Sequence, residues 1–268
     1  MISVITPNYN GARYLSAAME SVLAQRRAGV DLEYIVVDGG STDGSRAILE
    51  RYRTELARLV VEPDRGPASA INKGLALARG EIVGWLNADD LYRPGSLARV
   101  AAAFAQRPDR ALGFGRCRIV DENGCEIRKG ITRFKDVFHP ISCRFLIQTL
   151  NYISQPAMFF RRSAFERAGP LREDLRAAFD YDLILRLWRQ GGGFRIAGPP
   201  LADFRWHPDS ISGRGFREQF REEYEAARRD AGRWAPQVWL HAGVRWGIVT
   251  IYARMAARRR AKSGSGGG

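Results

Sequence analysis

The sequence predicts an α/β protein with a largely parallel sheet and helices on both faces. Two observations carry that prediction. Short apolar runs alternate with helical patterns from Ile2 to about Val120, and each run ends in a loop rich in polar or turn residues. Repeated βα order requires right-handed crossovers, which place helices on both sides of a parallel sheet. With 268 residues, 45% hydrophobic and 26% charged, the chain has ample material for such a core.

The elements follow in order. "ISVIT" is a strand, "ARYLSAAMESVLAQ" a helix with Leu15, Met19, Val22 and Leu23 on one face, and "LEYIVVD" a second strand. A helix is expected from about Ser41 to Leu56, then a strand "RLVVE", a helix "ASAINKGLALAR", the strand "EIVGWLN" and a helix "GSLARVAAAFAQ". Farther on, "FDYDLILRLWRQG" reads as a helix and "FRIAGPPLADFRWH" as strand-like.

Net charge is +13, which invites acidic partners. Zinc-finger spacing, an aromatic RNA-binding signature and a basic zipper are all missing, so nucleic acid is not the expected partner. Cys117, Cys125 and Cys143 form an odd set without C-x-x-C spacing, which predicts buried free thiols and argues against a disulfide framework or a cysteine zinc site. "MISVITPNYNG" has neither a basic n-region nor a long apolar h-region, so a cytoplasmic location is expected.

In a parallel α/β sheet, ligands bind beyond the carboxyl ends of the strands. The first four strands run into "TPNYN", "DGGSTDGS", "EPDRGP" and "NADD". Each loop alone also reads as punctuation: Ser41 or Thr42 as a helix N-cap, Asp43–Gly44 as a turn, Asn87 as an Asx-turn. Four such loops converging on one sheet edge point instead to a ligand site. An isolated buried carboxylate is costly unless it is paired or metal-bound, and Asp89 has only Lys73 and Arg93 near it in sequence to offset it. Hard divalent ions are typically held by one or two carboxylates plus a substrate diphosphate. The first β-to-α turn lacks G-x-G-x-x-G and no Walker A sequence occurs, so the ligand reads as a nucleotide diphosphate held by metal.

Taken together, "SVITPNYNGARYLSAAMESVLAQ", "EYIVVDGGSTDGS", "DRGPASAINKGLALARGEIVGWLNADDLYRPGSL", "QPAMFFRR", "FDYDLILRL" and "FRWHPDSIS" resemble the inverting glycosyltransferase family 2, with its GT-A fold. The resemblance covers about residues 1–212 and is strongest in the first half. It implies that Asp38 bonds the nucleotide base, that Thr6, Pro7 and Tyr9 line the base and ribose pocket, and that Asp64 and Lys73 lie near base and diphosphate. The family's D-x-D motif falls on Asn87-Ala88-Asp89, so this chain departs at the first carboxylate. Asp89 then becomes the main carboxylate ligand of a Mn²⁺ or Mg²⁺ ion, and Asn87 contacts ribose or a metal-bound water. His207, in "RWHPDSIS", matches a position that reaches metal or diphosphate, although a structural histidine also suits it.

Inverting transfer needs a carboxylate to take the proton of the attacking hydroxyl. A helical step of about 100° puts Asp180 on the stripe of Leu183, Ile184 and Leu187, facing inward. Asp182 falls opposite, beside Arg186 and Arg189, which predicts a surface residue pairing at i,i+4. Geometry alone leaves Asp180 as either a helix N-cap or a base. The resemblance assigns it as the base, since the family's E-D dipeptide falls on Phe179-Asp180, with the first acid missing. Either core packing or a sugar platform suits Trp85, Trp188 and Trp206, and the core is the assignment made.

The domain reading is a GT-A unit at 1–212, divided into a nucleotide-sugar half (1–115) and an acceptor and catalytic half (116–212). A helical extension at 213–260 and a disordered tail at 261–268 follow. "GFREQFREEYEAARRDAGRW" is a charged amphipathic helix. The apolar segment after it is interrupted by His241 and Arg245 and is shorter than the ~20 residues of a membrane span. Trp239, Trp246, Ile248 and Tyr252 with Arg254, Arg258, Arg259, Arg260 and Lys262 suit either an interfacial helix on anionic lipid or a helix packed on the domain. The expected activity is metal-dependent transfer of a sugar, UDP-linked by default, to a hydroxyl acceptor such as a lipid-linked saccharide in bacterial polysaccharide or glycolipid assembly. The alternatives are a catalytically silent nucleotide-sugar-binding scaffold and a sugar-1-phosphate nucleotidyltransferase; "TPNYNG" lacks the Gly- and Arg-rich loop the latter wants.

Overall fold

The computed structural model describes residues 1–208, 210, 216–247 and 250. Strands β1 (Ile2–Asn8), β2 (Leu32–Asp38), β3 (Arg58–Val61) and β4 (Ile82–Trp85) alternate with helices α1 (Ala12–Arg27), α2 (Ser45–Arg51) and α3 (Pro67–Leu77). Then come β5 (Leu91–Tyr92), α4 (Ser96–Ala105), β6 (Leu112–Phe114), β7 (Cys117–Val120) and β8 (Glu126–Ile127), followed by α5 (Lys129–Phe138) and α6 (Arg144–Thr149). The chain continues through β9 (Met158–Arg161), α7 (Arg162–Ala168), α8 (Phe179–Arg189), β10 (Gly193–Arg195), β11 (Ala202–Arg205) and α9 (Phe216–Ala231), and a last helix, α10, covers residues 236–247.

A seven-stranded sheet has the order β10-β6-β9-β4-β1-β2-β3, and a four-stranded sheet the order β5-β11-β7-β8. The large sheet is parallel except at β9, which runs antiparallel to both β4 and β6. Every residue of β1 and β2 is buried, as expected of strands covered on both faces. Alternation splits their side chains between two cores: Ile5, Ile35 and Val37 pack with Ile71, Leu183 and Leu187, whereas Val4, Tyr34 and Val36 pack with Leu15, Met19 and Val22. Register sets the site. Asn8 lies opposite Asp38, and Asp38 opposite Val61, so the loops after β1, β2 and β3 leave one sheet edge together.

The helix expected from Ser41 begins at Ser45 and stops at Arg51, with a separate short 3₁₀ turn at Arg53–Glu55. Asp43 accounts for the late start. Its carboxylate accepts the Ser45 N–H at 3.1 Å and hydroxyl at 2.6 Å, closing a turn that Gly44 completes at φ 97°. Of the three thiols, only Cys117 is buried; Cys125 and Cys143 are exposed, and all three are free. Trp85 and Trp188 are core residues, as assigned, with 1% and 8% exposure. Trp206 differs: it lies on the wall of the main cavity, with the Arg128 guanidinium 4.1 Å from its ring centre.

Beyond residue 212, the described helices pack back on the body. Helix α9 ends at Gly232 (φ 91°) and packs against α6 and α8, with Ala226 and Ala227 in the core. Helix α10 buries Val238 and His241, and the His241 ring meets the Gln148 carbonyl at 3.0 Å. Its other face exposes Trp239, Leu240 and Trp246, so it is packed on one side and apolar on the outer side. No helix among the described residues is long and apolar enough to cross a membrane. Ile248, Tyr252, Arg254, Arg258, Arg259, Arg260, Lys262 and the 261–268 tail lie outside the described residues.

Candidate active site

One large cavity, about 1520 Å³, opens at the carboxyl edge of the large sheet. The ends of β1 and β4, the loop after β2, and elements of the second half, including α5, α8, β11 and α9, all contribute to its wall. Eight residues expected at a site line it: Pro7, Tyr9, Asp64, Asn87, Ala88, Asp89, Asp180 and His207. Strands β1 and β4 pair directly, Ile5 opposite Trp85, which brings Pro7 and Asn87–Asp89 to neighbouring positions.

Asp89 and His207 meet although 118 residues separate them: His207 Nε2 lies 3.0 Å from Asp89 Oδ2. The Asp89 side chain keeps 27% exposure and His207 15%, so both reach the cavity from firm ground. Behind His207, the Tyr14 ring lies 5.5 Å away centre to centre. Asp90 takes the opposite direction. Fully buried, it accepts the Arg205 N–H at 2.9 Å and the Asn87 amide at 3.2 Å. Burial first, and then the neighbouring Asp89 carboxylate, hold its pKa well above the usual carboxylate range. Asn87 also donates to Gln155 Oε1 at 3.1 Å, and Gln155 in turn donates to the Trp85 carbonyl at 2.8 Å. The Asn87 amide nitrogen is thus spent on the protein rather than turned to ribose or a metal-bound water as expected.

Among the described residues no three His, Cys, Asp or Glu side chains gather to enclose a cation. The donor set that exists, one carboxylate and one imidazole at a cavity wall, fits a divalent ion whose remaining ligands are phosphate oxygens and water.

Three expected residues do not line the cavity. Thr6 is buried, its hydroxyl 3.0 Å from that of Tyr34. Asp38 is buried beneath its loop and saturated by the protein. Its oxygens accept from the Asn8 amide at 2.6 Å, the Ser41 hydroxyl at 2.6 Å, and the N–H groups of Gly40 and Ser41 at 3.2 and 2.9 Å. Within the fold it holds the loop after β2, each of its oxygens accepting two hydrogen bonds from the protein. Lys73 binds Glu62 at 2.7 Å and the Pro63 carbonyl at 2.9 Å, so its charge serves the loop after β3. Asp64, by contrast, reaches the cavity across Gly39. A Cβ at Gly39 would fall 2.3 Å from Asp64 Oδ2, so only glycine allows that approach.

Asp180 lies in the first turn of α8, half-buried, and is not the N-cap; that position belongs to Ala178. Its Oδ1 accepts the next N–H, from Tyr181, at 2.7 Å. Burial pushes its pKa from 3.8 up to about 6, against the opposing pull of that hydrogen bond and of Lys135. The outward placement expected for Asp182 is overturned, because α9 covers that face of α8. Asp182 is 7% exposed and paired with Arg186 at 2.9 Å, the i,i+4 partner expected, and with Arg229 of α9 at 3.4 Å.

Three residues that support or line the site carried no signal in the sequence: Arg205 and Glu222, buried beneath the wall, and Glu223, on it. Arg205 binds the Asp89 carbonyl through Nε at 2.9 Å and the Glu122 carbonyl at 2.8 Å, fixing the loop that carries Asp89. Glu222 and Glu223 of α9 both lie close enough to Asp180 to raise its pKa or have theirs raised by it.

Residues 3–169 match the model of glycosyl transferase family 2. The chain belongs to that family. Among relatives, it is 35% identical over 176 residues to an uncharacterised glycosyltransferase of Nostoc sp., covering 63% of this chain and 53% of that protein. It is 34% identical over 190 residues to a PGL/p-HBAD biosynthesis glycosyltransferase of Mycobacterium bovis, covering 69% of each. A third, the O-antigen biosynthesis protein of Myxococcus xanthus, is 32% identical over 80% of this chain but only 16% of its own length. The chain thus spans about half of the Nostoc protein and a small part of the Myxococcus one. Solved structures share the fold. The mannosyltransferase of Pyrobaculum calidifontis with GDP-Man and Mn²⁺ superposes with a TM-score of 0.69 at 24% identity, covering 100% of this chain and 76% of that one. S. aureus TarS with UDP-GlcNAc gives a TM-score of 0.68 at 21% identity, covering 86% and 65%. This family 2 member therefore has the GT-A glycosyltransferase fold, with its helical C-terminal part packed against α6 and α8.

Proposed function

We propose that this family 2 protein is an inverting glycosyltransferase that moves a sugar from a nucleotide diphosphate, UDP by default, to a hydroxyl of a saccharide or glycolipid acceptor. The observation that carries the reading is the placement of the Asp89–His207 pair and of Asp180 on one cavity, from different halves of the chain. Pro7, Tyr9 and Asp64 line the part into which a nucleotide would fit, and the loop held by Asp38 gives that part its shape.

Asp89 and His207 would hold a Mn²⁺ or Mg²⁺ ion, which when bound offsets the charge of the leaving diphosphate. Asp180 takes the proton of the acceptor hydroxyl as its oxygen bonds the anomeric carbon from the face opposite the leaving group. The bond from that carbon to the diphosphate oxygen breaks, and UDP departs with the electron pair. A base with a pKa near 6 is ionised at neutral pH yet more basic than an ordinary aspartate, which suits this task. The mycobacterial and Myxococcus relatives, named for glycolipid and O-antigen biosynthesis, support an acceptor of that kind. The exposed Trp239 and Trp246 support peripheral contact with the cytoplasmic face of a membrane, where a lipid-linked acceptor would be met.

The test is incubation of the protein with a panel of UDP-, GDP- and dTDP-sugars, with Mn²⁺, Mg²⁺ or a chelator, and measurement of nucleotide release. Release from one donor that the chelator abolishes is the expected result. Metal-dependent UDP binding without turnover of any donor would favour the silent-scaffold alternative.

A further inference from the structure

Helix α9 lies beyond the span that matches the family model, which ends at residue 169, yet it reaches the catalytic end of the cavity. Two consecutive glutamates do this in different ways, since neighbouring side chains on a helix diverge by about 100°. Glu222, 3% exposed, accepts the N–H groups of Arg176, Ala177 and Ala178 at 3.0, 2.9 and 3.0 Å. It therefore anchors the backbone that leads into α8 and so fixes where Asp180 stands. Glu223, 5% exposed, is on the cavity wall with Gln219 and Phe220 of the same helix.

The surroundings of Glu223 are those of a group awaiting a partner. The Asn151 and Gln219 amides both donate to its Oε1, at 3.1 and 3.2 Å. Among the described residues, no donor is recorded for Oε2, and no arginine or lysine forms an ion pair with this carboxyl. Burying a carboxylate against two neutral amides is unfavourable unless another donor completes its shell. The space before it is the cavity it shares with Asp180, and the neutral donors an acceptor brings there are hydroxyls. Burial, and then the Asp180 carboxylate, raise the Glu223 pKa to about 7, in keeping with two carboxyls at one end of the site.

We propose that Glu223 binds a second hydroxyl of the acceptor, beside the one that attacks, so that α9 completes the acceptor subsite and selects saccharides over simple alcohols. This rests on the transferase reading above. The test compares wild type with Glu223→Gln and with Glu225→Gln, a half-exposed residue of the same helix paired with Arg221. Each protein receives Mn²⁺, the donor that wild type turns over, and a panel of octyl glycosides. Glycosylated product and donor hydrolysis are measured separately, and UDP affinity by calorimetry. In Glu223→Gln the ratio of transfer to hydrolysis should fall about 10- to 100-fold through a raised acceptor KM, the worth of a hydrogen bond to a charged group, with UDP affinity within twofold of wild type. Glu225→Gln should keep the wild-type ratio. An unchanged ratio in Glu223→Gln, an equal loss of transfer and hydrolysis, or donor hydrolysis by wild type without transfer to any saccharide would each overturn the proposal. Failure of wild type to release nucleotide from any donor would instead overturn the transferase reading itself.

Discussion

Asp180→Asn separates a base from a structural carboxylate, because the two roles predict stability changes of opposite sign. The native carboxyl holds its proton more tightly than an ordinary aspartate, with a pKa near 6 against 3.8. A rise of about two units is worth up to about 3 kcal/mol of destabilisation once the group is ionised in the folded state. The sign is fixed by linkage. Below about pH 4 the carboxyl is protonated folded and unfolded, and no penalty exists; the penalty grows as pH rises and is complete above pH 6. Asparagine keeps the shape and the acceptor for the Tyr181 N–H but carries no charge. Asp180→Asn should therefore melt higher than wild type at pH 7.5, by up to roughly 6–12 °C at about 2–4 °C per kcal/mol for a chain of this size. The gain should vanish near pH 4. Over the same pH range, wild-type kcat/KM should fall tenfold per unit below about pH 6, and the variant should lose transfer by about 10² to 10⁴ while still binding UDP. Differential scanning calorimetry at two pH values and a pH–rate profile make the check. A variant that melts lower at pH 7.5, or retains transfer, would show the carboxylate to be structural.

The remaining predictions concern charge and surface. Asp89→Asn keeps the loop, which Arg205 grips through the backbone, but removes the charge beside His207; Mn²⁺-dependent UDP binding by calorimetry should weaken at least tenfold, and undiminished metal dependence would exclude Asp89 as a ligand. Asp182→Asn breaks a buried carboxylate away from Arg186 and Arg229 and should lower stability by about 1–3 kcal/mol in urea unfolding, with UDP affinity unchanged. A loss of UDP affinity without destabilisation would place Asp182 in the site. The double change Trp239→Ser with Trp246→Ser removes exposed rings and leaves the buried Val238 and His241 in place. It should reduce co-sedimentation with anionic liposomes at low salt severalfold without changing the melting temperature, and equal sedimentation would refute a membrane role for this face.

The first half of the fold was legible because parallel strands covered on both faces leave continuous apolar runs, and the loops after them carry turn chemistry that sequence displays directly. The second half hid itself for physical reasons. Strands β5 to β8 have two to four residues, too few to show a period, and β9 enters between β4 and β6 against the parallel grain. Asp182 was misplaced because a helical wheel assumes one packing surface, whereas α8 has the sheet on one side and α9 on the other. Asp38 and Lys73 had the right residue types near the right loops, but a pattern of types does not say which oxygen or ammonium the fold itself consumes. Gln155, Glu222 and Glu223 act across 70, 45 and 72 residues of sequence, through contacts no local motif encodes.

The adjacent carboxylates of "NADD" show how such long-range placement is achieved. Side chains next to one another in a tight turn face apart, so one carboxyl of the pair reaches the cavity and the other enters the protein. Asp90 is buried, and burial together with the neighbouring Asp89 carboxylate raises its pKa above the usual carboxylate range. Its accepted hydrogen bond from the Arg205 N–H joins the loop after β4 to the end of β11. The Arg205 guanidinium returns the contact at the Asp89 carbonyl, so the two segments are clasped at two points. Two residues farther along, His207 then has little choice of position and meets Asp89 at 3.0 Å. The inner carboxylate thus sets the outer one's partner, and the second sheet, through β11, carries half of a site whose other half belongs to the first.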